Sequence, residues 1–400
     1  MRALALIDGE HYAPVVRDAL AALPYELVGA LLVGGTEKLR APAASPTTLP
    51  AEDYGVPLVD ALDAIDVDLV VDVSDEPVLG PRERMLWASR ALALGLPYVG
   101  ADFRFDPPAF HEVGAPSLAV VGTGKRIGKT AVTGHVARLL ARDSRVVVVA
   151  MGRGGPPEPE VVQTPPTLAE LVALARSGRH AASDHLETAA LAGVPTVGCR
   201  RAGGGLAGAT LDSNVLEGAR AALDLDPELL VFDGSGAALP PVAADARILV
   251  TNGLHDVRAG LNAYRVLLAD LVVDTGGADV EAIRAIADVP VVPAELRLRP
   301  AEPLAGRRTA VFTTGPAPTE HLDAEVVHVS RNLARRDLLR EELERVEAEV
   351  YLVELKAAAV DVVAETALDR GAEVVLAAND VVAEELDERV LELAQRLVHA

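Results

Sequence analysis

The chain is poor in aromatic residues, cysteine and lysine, and each shortage limits what it can be. Aromatic residues make up 3% of its 400 residues while half of the chain is hydrophobic, so Val, Leu, Ile and Ala must fill its cores. This composition favours buried parallel strands covered by helices rich in Ala and Leu. The single cysteine, Cys199, excludes an internal disulfide and is typical of a reducing compartment.

Long apolar segments are also absent. No apolar run approaches the ~18 residues that span a bilayer, and the opening run MRALALID is too short for a signal peptide, because Asp8 and Glu10 interrupt it. The formal charge of −22 argues against a general affinity for nucleic acid or anionic membranes. We therefore expect a cytoplasmic protein with no nucleic-acid or membrane partner. A polyanionic substrate would need a local cluster of cations.

Lysine is used so rarely that its positions are informative. Of the 37 basic residues 33 are arginine, and the four lysines are Lys38, Lys125, Lys129 and Lys356. A chain that uses arginine by default keeps lysine where a compact ammonium does what a planar guanidinium cannot. Two of the four lysines lie in one glycine-rich segment. That segment is therefore the first candidate for a functional site.

Strand-like runs alternate with amphipathic helical stretches along the whole chain, which predicts a doubly wound α/β fold. Because 400 residues exceed one comfortable core, we predict three domains. Residues 1–113 form a Rossmann-like N-terminal domain, residues 114–300 a central P-loop domain with a mostly parallel sheet, and residues 301–400 a smaller C-terminal α/β module. The segment 40–54, rich in Pro, Ala and Thr, is predicted to be a loop.

The segment GTGKRIGKT joins a short apolar strand, SLAVVG, to an amphipathic helix. In that context a glycine-rich loop predicts phosphate binding by backbone N–H groups and by the helix N-terminus. Lys129 would contact the β- and γ-phosphates of a nucleoside triphosphate, and Thr130 would ligate Mg²⁺. The predicted nucleotide-binding residues of this loop are consecutive in the chain: Gly122, Thr123, Gly124, Lys125, Arg126, Ile127, Gly128, Lys129, Thr130 and Ala131.

The spacing of this loop departs from the plain P-loop pattern, because Thr123 stands five residues before Gly128 where a glycine is expected. A loop of the form G-T-x-x-x-x-G-K-T resembles that of dethiobiotin synthetase and the related ATP-dependent ligases and amidases. Asp233 ends the apolar run LLVF and is the second predicted ligand of Mg²⁺, with a capping or turn aspartate as the alternative. By the same resemblance Asn252 would contact the nucleobase, unless it is simply a turn residue.

Several cations are predicted to gather near the loop. Arg153 ends the strand that follows the loop helix, and ligands of doubly wound sheets bind at that edge. Arg200 and Arg201 precede a glycine run, and paired guanidiniums beside exposed N–H groups suit a polyanion. The alternative is a flexible surface loop with incidental arginines. The predicted catalytic residues are all cations: Lys125, Lys129, Arg153, Arg200 and Arg201.

Other polar residues are candidates for contacts to a second substrate. SDHLE stands at a predicted helix start, where capping by Ser183 is as good an explanation as catalysis. Lys356 follows the strand-like run YLVE, and an exposed ion pair with Glu354 is the alternative. Cys199 is expected to be a small buried residue. The predicted substrate contacts are Asp8, Glu10, His11, Arg126, Asp184, His185, Gly203, Gly204 and Lys356.

Nearly the full length of the chain resembles one family, the cyclic 2,3-diphosphoglycerate synthetases. The resemblance rests on segments that occur in a consistent order: IDGEHY, GTGKRIGKTAV, MGRGGP, SDHLE, GCRRAGGG, FDGSGAALPPV and ELKAAAVDVV. It implies an enzyme that uses ATP and Mg²⁺, with K⁺ as an additional candidate cation, to close 2,3-diphosphoglycerate into a cyclic pyrophosphate, an osmolyte and thermoprotectant, releasing ADP and phosphate. We expect a homo-oligomer and take it to be a homodimer.

Two other interpretations stay open at this point. The first is a P-loop ligase or kinase of another acidic metabolite, although a carboxylate substrate should not need so many cations. The second is a nucleotide-dependent switch or partitioning ATPase without a small substrate. Such proteins usually carry a lysine near the start of the loop, and Lys125 is one position away from that register. The arginine pair also has no evident role in a switch.

Overall fold

A computed structural model describes residues 1–35, 54–315 and 317–398 of the chain. Lys38 and almost all of the loop predicted at 40–54 lie outside these described residues. Contacts divide the chain into two compact units. The first consists of Met1–Pro108, Asp256–Leu268 and Asp279–Asp288, and the second of Ala109–His255, Ala269–Ala278 and Val289–Ala400.

Strands and helices alternate through the described residues. The strands are β1 Arg2–Ile7, β2 Glu26–Leu32, β3 Leu58–Val59, β4 Leu69–Asp72, β5 Tyr98–Val99, β6 Arg104–Phe105, β7 Ser117–Gly122, β8 Val146–Gly152, β9 Glu160–Val162, β10 Thr196–Ala202, β11 Asp212–Ser213, β12 Leu229–Asp233, β13 Ala246–Thr251, β14 Leu271–Asp274, β15 Val291–Pro293, β16 Glu295–Pro300, β17 Arg308–Phe312, β18 Glu325–Ser330, β19 Val350–Glu354 and β20 Glu373–Val382. The helices are α1 Ala13–Ala22, α2 Pro81–Ala93, α3 Lys129–Leu140, α4 Leu168–Arg176, α5 Asp184–Ala192, α6 Val215–Leu223, α7 Asn262–Leu267, α8 Val280–Ile286, α9 Arg336–Leu343, the π-helix Ala359–Ala364, α10 Glu365–Asp369 and α11 Leu386–Val398.

The sheet of the first unit has six strands in the order β3-β2-β1-β4-β5-β6. All its neighbouring strands are parallel except β5 and β6. The central strand β1 is buried along five of its six residues, because helices cover both faces of such a sheet and apolar residues suit both. The chain leaves β1 first to one side and then to the other, which is the doubly wound arrangement.

The larger sheet of the second unit contains nine strands, with the order β11-β10-β8-β12-β7-β13-β14-β15 and β9 beside β10. Seven of them, from β10 to β15 along this order, pair in parallel, whereas β9 and β11 run antiparallel to β10. Strands β7, β8 and β12 are buried at every residue. Their sequences are apolar except for Ser117 and Asp233 at strand ends, without polar alternation, as expected of central parallel strands. The predicted α/β class with a mostly parallel P-loop sheet is confirmed.

The smaller sheet of the second unit has the order β16-β20-β19-β17-β18. Its strands are parallel except for β16, which pairs antiparallel with β20. Two apolar cores tie this sheet to the larger one. Helix α11 contributes to the core under the loop helix α3, and the π-helical segment shares a core with α4 and α5. The two sheets therefore belong to one compact unit.

No helix among the described residues is long and apolar enough to cross a membrane.

Candidate nucleotide-binding site

The glycine-rich loop connects the central strand β7 to helix α3, as the sequence predicts. Gly128 caps the helix at its N-terminus with φ +79°, a backbone conformation that residues with a side chain rarely adopt. A Cβ atom there would lie 2.6 Å from the Leu296 side chain, and one at Gly122 would lie 2.4 Å from Ile127. A side chain at either position would have to displace its neighbour, and at Gly128 the backbone conformation also favours glycine. Thr123 donates its N–H to the Val250 carbonyl at 3.2 Å, and the helix N-terminus after Gly128 can present N–H groups to an anion.

Lys129 and Asp233 form a buried ion pair at the floor of the site. The Lys129 ammonium donates to Asp233 Oδ1, and the Thr133 hydroxyl donates to the same oxygen at 2.7 Å. Asp233 ends β12, which is the direct neighbour of β7, so parallel pairing brings the carboxylate to the loop. Burial raises the pKa of Asp233 more than the adjacent ammonium lowers it. Asp233 Oδ2 is buried and has no hydrogen-bond partner.

Residues after β13 and β14 hold the loop from one side. Asn252 Nδ2 donates to the Arg126 carbonyl at 3.2 Å, and His255 Nε2 lies 3.0 Å from the Lys125 carbonyl. Thr275 donates to the carbonyl of Ile127 at 2.8 Å. Thr123, the residue that departs from the usual pattern, has its hydroxyl 3.0 Å from that of Thr251 on β13. These bonds fix three consecutive loop carbonyls.

One pocket brings the loop together with residues from three other places in the second unit. Its lining combines residues from the loop, the carboxyl ends of β8 and β12, the start of α5 and the smaller sheet. They are Gly124, Lys125, Arg126, Ile127, Gly128, Lys129, Thr130, Arg153, Asp184, Ser235, Gly236, Thr314, Ala334 and Lys356. Five of these side chains are cationic and one is a carboxylate. The pocket is therefore suited to a polyanion.

The two predicted arginines of β10 are placed differently. As successive strand residues they point to opposite faces of the sheet, and neither lines the pocket. Arg200 is exposed, and its backbone N–H is held by Asn214 Oδ1 at 2.6 Å. Arg201 donates to the carbonyl of the pocket residue Ser235 at 2.9 Å, and burial followed by the charge of Arg153 lowers its pKa. Arg201 thus supports the rim of the pocket.

Lys356 extends into the pocket from the smaller sheet. Its ammonium lies 3.4 Å from Glu187 Oε1 on α5 and 4.0 Å from Glu354 Oε1. Burial alone would lower the pKa of Lys356, but these two carboxylates outweigh it and raise the pKa. Burial raises the pKa of Glu187 to about 7 although Lys356 opposes the change. The ion pair with Glu354 is present, and Glu187 is a further partner.

Most of the other candidates near α5 and β10 lie outside the pocket lining, and Asp184 is the exception. His185 is buried, with Nδ1 3.1 Å from the Ser183 hydroxyl, and burial lowers its pKa. Ser183 precedes α5 but makes no side-chain capping bond, whereas Asp184 lines the pocket. Cys199 is fully buried, and burial raises its pKa to about 12, which confirms an inert small residue. Gly203 and Gly204 are exposed in the loop after β10.

Asp8, Glu10 and His11 belong to the first unit. Asp8 is buried at the end of β1 and accepts bonds from the N–H groups of Glu10 and His11 and from His11 Nδ1 at 2.9 Å. Burial raises the pKa of Asp8, but the bonds from His11 and from the Asp75 N–H outweigh it and lower the pKa. His11 and Asp75 also line a cavity at the carboxyl ends of β4 and β5.

Comparison with known proteins finds one family along the chain. A family model described as the cyclic 2,3-diphosphoglycerate synthetase P-loop domain matches residues 117–289, and models of the N-terminal and C-terminal domains of this synthetase match residues 2–106 and 300–380. A cyclic 2,3-diphosphoglycerate synthetase of Rubrobacter xylanophilus is 48% identical over 99% of this chain and 97% of that protein. One of Thermococcus kodakarensis is 40% identical over 99% of both.

The chain belongs to the cyclic 2,3-diphosphoglycerate synthetase family. The resemblance predicted from the sequence is therefore confirmed, and it extends over both compact units. Among solved structures, an LpxK from Aquifex aeolicus in complex with ATP covers 72% of this chain and 90% of its own, with 17% identity and a TM-score of 0.45. A likeness this weak supports no inference about the function of this member of the synthetase family.

The residues of this family member fit a magnesium ion at the loop. Thr130 lies at the start of α3 in the pocket lining, and the unpartnered oxygen of Asp233 is an acceptor without a donor. A hydroxyl and a carboxylate oxygen are ligands that Mg²⁺ prefers, and the ion usually keeps several waters beside them. The described residues contain no group of three or more His, Cys, Asp or Glu side chains that could hold a metal. A hydrated ion with few protein ligands suits this site.

Sequence reasoning missed several residues of the site. Thr133 lies one helical turn after Lys129 and shares its carboxylate partner, and helical spacing could have identified it. Thr314 and Ala334 line the pocket from the smaller sheet, and no sequence signal marks them. Both follow carboxyl ends of strands in that sheet, so its ligand edge faces the loop.

Proposed function

We propose that the chain converts 2,3-diphosphoglycerate to cyclic 2,3-diphosphoglycerate with ATP, releasing ADP and inorganic phosphate. One observation carries this proposal. The pocket that contains the nucleotide loop is lined by five cationic side chains and a single carboxylate, Asp184, within a chain whose formal charge is −22. A site built for one triphosphate does not need cations on its far walls. Two further phosphates on a second substrate would account for them.

The chemistry requires one substrate phosphate to be activated, because charge repulsion and water both oppose ring closure. An oxygen of that phosphate attacks the γ-phosphorus of ATP, and the bond from this phosphorus to the oxygen leaving with ADP breaks. An oxygen of the other substrate phosphate then attacks the activated phosphorus. The anhydride bond to the transferred group breaks, and that group leaves as inorganic phosphate. Each step needs positioning and charge neutralisation more than a protein nucleophile.

The residues of the pocket divide between these tasks. Lys129 would neutralise the γ-phosphate, and the loop from Gly122 to Ala131 would hold the β-phosphate through its N–H groups. Asn252 would contact the nucleobase. The cations proposed for the substrate phosphates, directly or through the rim, are Lys125, Arg126, Arg153, Arg200, Arg201 and Lys356.

The remaining polar residues are proposed as weaker contacts of the same substrate. In the second unit they are Asp184, His185, Gly203 and Gly204, while Asp8, Glu10 and His11 of the first unit stay predictions from the sequence. Among the three outside the pocket lining, the arrangement favours Gly203 over His185, because the histidine is buried with one ring nitrogen at Ser183 and its pKa is lowered.

Thr130 and Asp233 would hold Mg²⁺, which would supply charge neutralisation for the phosphates when bound. K⁺ is proposed as an additional cation without assigned ligands. We further propose a cytoplasmic homodimer with three domains, bounded near residues 113 and 300. Size-exclusion chromatography with light scattering would measure the mass of the assembly, and a monomer at working concentration would contradict the dimer.

Phosphorus NMR tests the reaction directly. The protein is incubated with ATP, Mg²⁺ and 2,3-diphosphoglycerate, and we expect pyrophosphate resonances of a cyclic product to grow as ADP and phosphate appear. Parallel samples containing 3-phosphoglycerate or a dicarboxylate test the alternative of a kinase or ligase for another acid. ATP hydrolysis that the diphosphate substrate does not stimulate, with no cyclic product, would overturn the proposal.

A further inference from the structure

Lys356 is shared between two parts of the second unit. It follows β19 of the smaller sheet, while its nearer partner, Glu187, belongs to helix α5 beside the larger sheet. Its second partner, Glu354, is the last residue of β19. The two carboxylate residues are 8% and 7% exposed and lie behind the ammonium, because Lys356 lines the pocket and they do not.

Hydrogen bonds hold both carboxylate oxygens of Glu354. Its Oε2 accepts the backbone N–H of Thr314 at 2.8 Å, and its Oε1 accepts Asn379 Nδ2 at 2.7 Å. Ala357, directly after the lysine, has φ +49°, a strained conformation for a residue other than glycine that is kept when surrounding structure enforces it. The backbone on both sides of Lys356 is therefore constrained, which fixes the position from which its side chain starts.

The charge balance of this cluster is unusual for a structural ion pair. One ammonium faces two carboxyl groups, and burial raises the pKa of Glu187 to about 7. Above that pH the cluster holds a surplus negative charge, which is costly unless a further cation or a function compensates for it. The same ammonium also lines a pocket across from the phosphate-binding loop. Two acids that keep one lysine charged and directed at a polyanion site would account for both facts.

We propose that Glu187 and Glu354 are positioning residues that hold the Lys356 ammonium at the pocket wall, where it contacts the phosphates of the acidic substrate. This inference rests on the proposed function. It makes binding of that substrate depend on the contact between the smaller sheet and helix α5, whereas binding of ATP depends on the loop. The acids act through the lysine and touch no reacting atom.

Steady-state kinetics of Glu187→Gln and Glu354→Gln at pH 8, above the Glu187 pKa of about 7, test the inference. We expect the KM for 2,3-diphosphoglycerate to rise roughly 10-fold in each variant, because an ion pair that orients the ammonium is lost. The KM for ATP and kcat should change less than about twofold. Glu354→Gln gives an independent result if Glu187→Gln fails to fold, which circular dichroism would show.

The matched control is Glu365→Gln. Glu365 Oε1 accepts a 2.8 Å hydrogen bond from Arg176 Nε on α4. This ion pair joins α4 to α10 of the smaller sheet, as Glu187 joins α5 to Lys356, but Glu365 lies outside the pocket lining. We expect no change in either KM. A rise in the KM for 2,3-diphosphoglycerate equal to that of Glu187→Gln would show a general loss of packing and would overturn the positioning role.

The double variant Lys356→Ala/Glu187→Gln separates positioning from independent effects. If Glu187 acts through Lys356, the double variant has the same KM as Lys356→Ala alone. Additive losses would overturn the inference. Absence of cyclic product from the unmodified enzyme would contradict the proposed function, whereas product formation with an unchanged KM in both glutamine variants would contradict this inference alone.

Discussion

The pocket contains two lysines that are paired with buried carboxylates in different ways. Lys129 has one acid partner, Asp233, and both residues belong to the larger sheet and its loop helix. Lys356 has two, and they come from both parts of the second unit. The first pair is set by adjacent parallel strands within the larger sheet. The second arrangement exists only when the smaller sheet packs against α5.

The difference suggests separate roles for two walls of the pocket. The loop wall consists of residues 124–130, and the opposite wall is formed by Thr314, Ala334 and Lys356 of the smaller sheet. The loop wall serves a triphosphate, which many proteins bind with the same local geometry. The wall from the smaller sheet lies in the region that the C-terminal domain model matches, and we expect selectivity for the second substrate to arise there. Variants of the two lysines should therefore affect different kinetic constants, and the following predictions use that contrast.

Lys129→Ala should have the largest effect. The γ-phosphate loses its main cation, so we expect turnover to fall by roughly 10³-fold. Asp233 is then buried without its cation, which should cost about 3–5 kcal/mol of stability. Phosphate release and chemical denaturation measure the two losses. Lys129→Ala/Asp233→Asn should regain most of the stability without regaining turnover, and a single variant that retains turnover would show that the loop is misassigned.

Lys356→Ala should have the second-largest effect and should leave ATP binding at the loop wall unchanged. We expect the KM for 2,3-diphosphoglycerate to rise roughly 10- to 100-fold, which corresponds to the loss of a charge-assisted bond, while the KM for ATP changes little. Lys356→Arg should recover only part of the affinity, because a planar guanidinium cannot replace a compact ammonium between two acids. An equal rise in both KM values would remove the distinction between the walls.

The pH dependence of stability should reveal Glu187. The folded protein keeps its proton up to about pH 7, whereas the unfolded chain releases it near 4.5, so stability falls as pH rises between these values. The full change is on the order of 3 kcal/mol at ~1.4 kcal/mol per unit. Lys356, whose pKa is raised, stays charged throughout, and Glu354 and Asp184 are the other facing acids.

Thermal unfolding at pH 5 and pH 8 tests this expectation with Glu187→Gln. The variant cannot ionise at this position, so its melting temperature relative to the unmodified protein should improve as the pH is raised. A variant that loses stability relative to the unmodified protein over this range would mean that the charged carboxylate stabilises the fold more than burial opposes it.

Asn252→Ala should have the smallest effect. Its side chain donates to the Arg126 carbonyl at 3.2 Å, and losing one such bond costs about 0.5–1.5 kcal/mol. We expect the KM for ATP to rise by roughly two- to tenfold, with His255→Ala behaving alike. If Asn252 only braces the loop, the ratio of KM values for ATP and GTP stays constant. A changed ratio in Asn252→Ala alone would support the proposed nucleobase contact.

The loop wall could be predicted from the sequence because its determinants are local. A buried strand, a glycine-rich loop and an amphipathic helix follow one another within residues 117–140, and the geometry of Lys129 follows from them. Asp233 is more than a hundred residues away, yet it could be predicted because it ends an apolar run, and parallel strands of one sheet share their carboxyl edge.

The opposite wall and its neighbour on α5 could be predicted only as separate candidates, Lys356 and Asp184, because their meeting depends on packing between sheets. No pattern in the sequence shows that Lys356 lies near Glu187, since this follows from the apolar core shared by α4, α5 and the π-helix. Arg200 and Arg201 illustrate another limit. Their adjacency suggested a paired site, but strand alternation sends them to opposite faces, and this follows only once β10 is known to continue through both residues.

Helix α11 has a consequence for how the protein is made. Leu386, Val390 and Leu393 complete the apolar core beneath the loop helix, although the strands of that sheet end at Pro293. During translation the nucleotide-binding sheet therefore emerges long before the helix that covers its core. Until about a hundred further residues have been synthesised, the apolar core beneath the loop helix lacks the helix that covers it. The core of the nucleotide-binding sheet is therefore completed only after α11 has been synthesised.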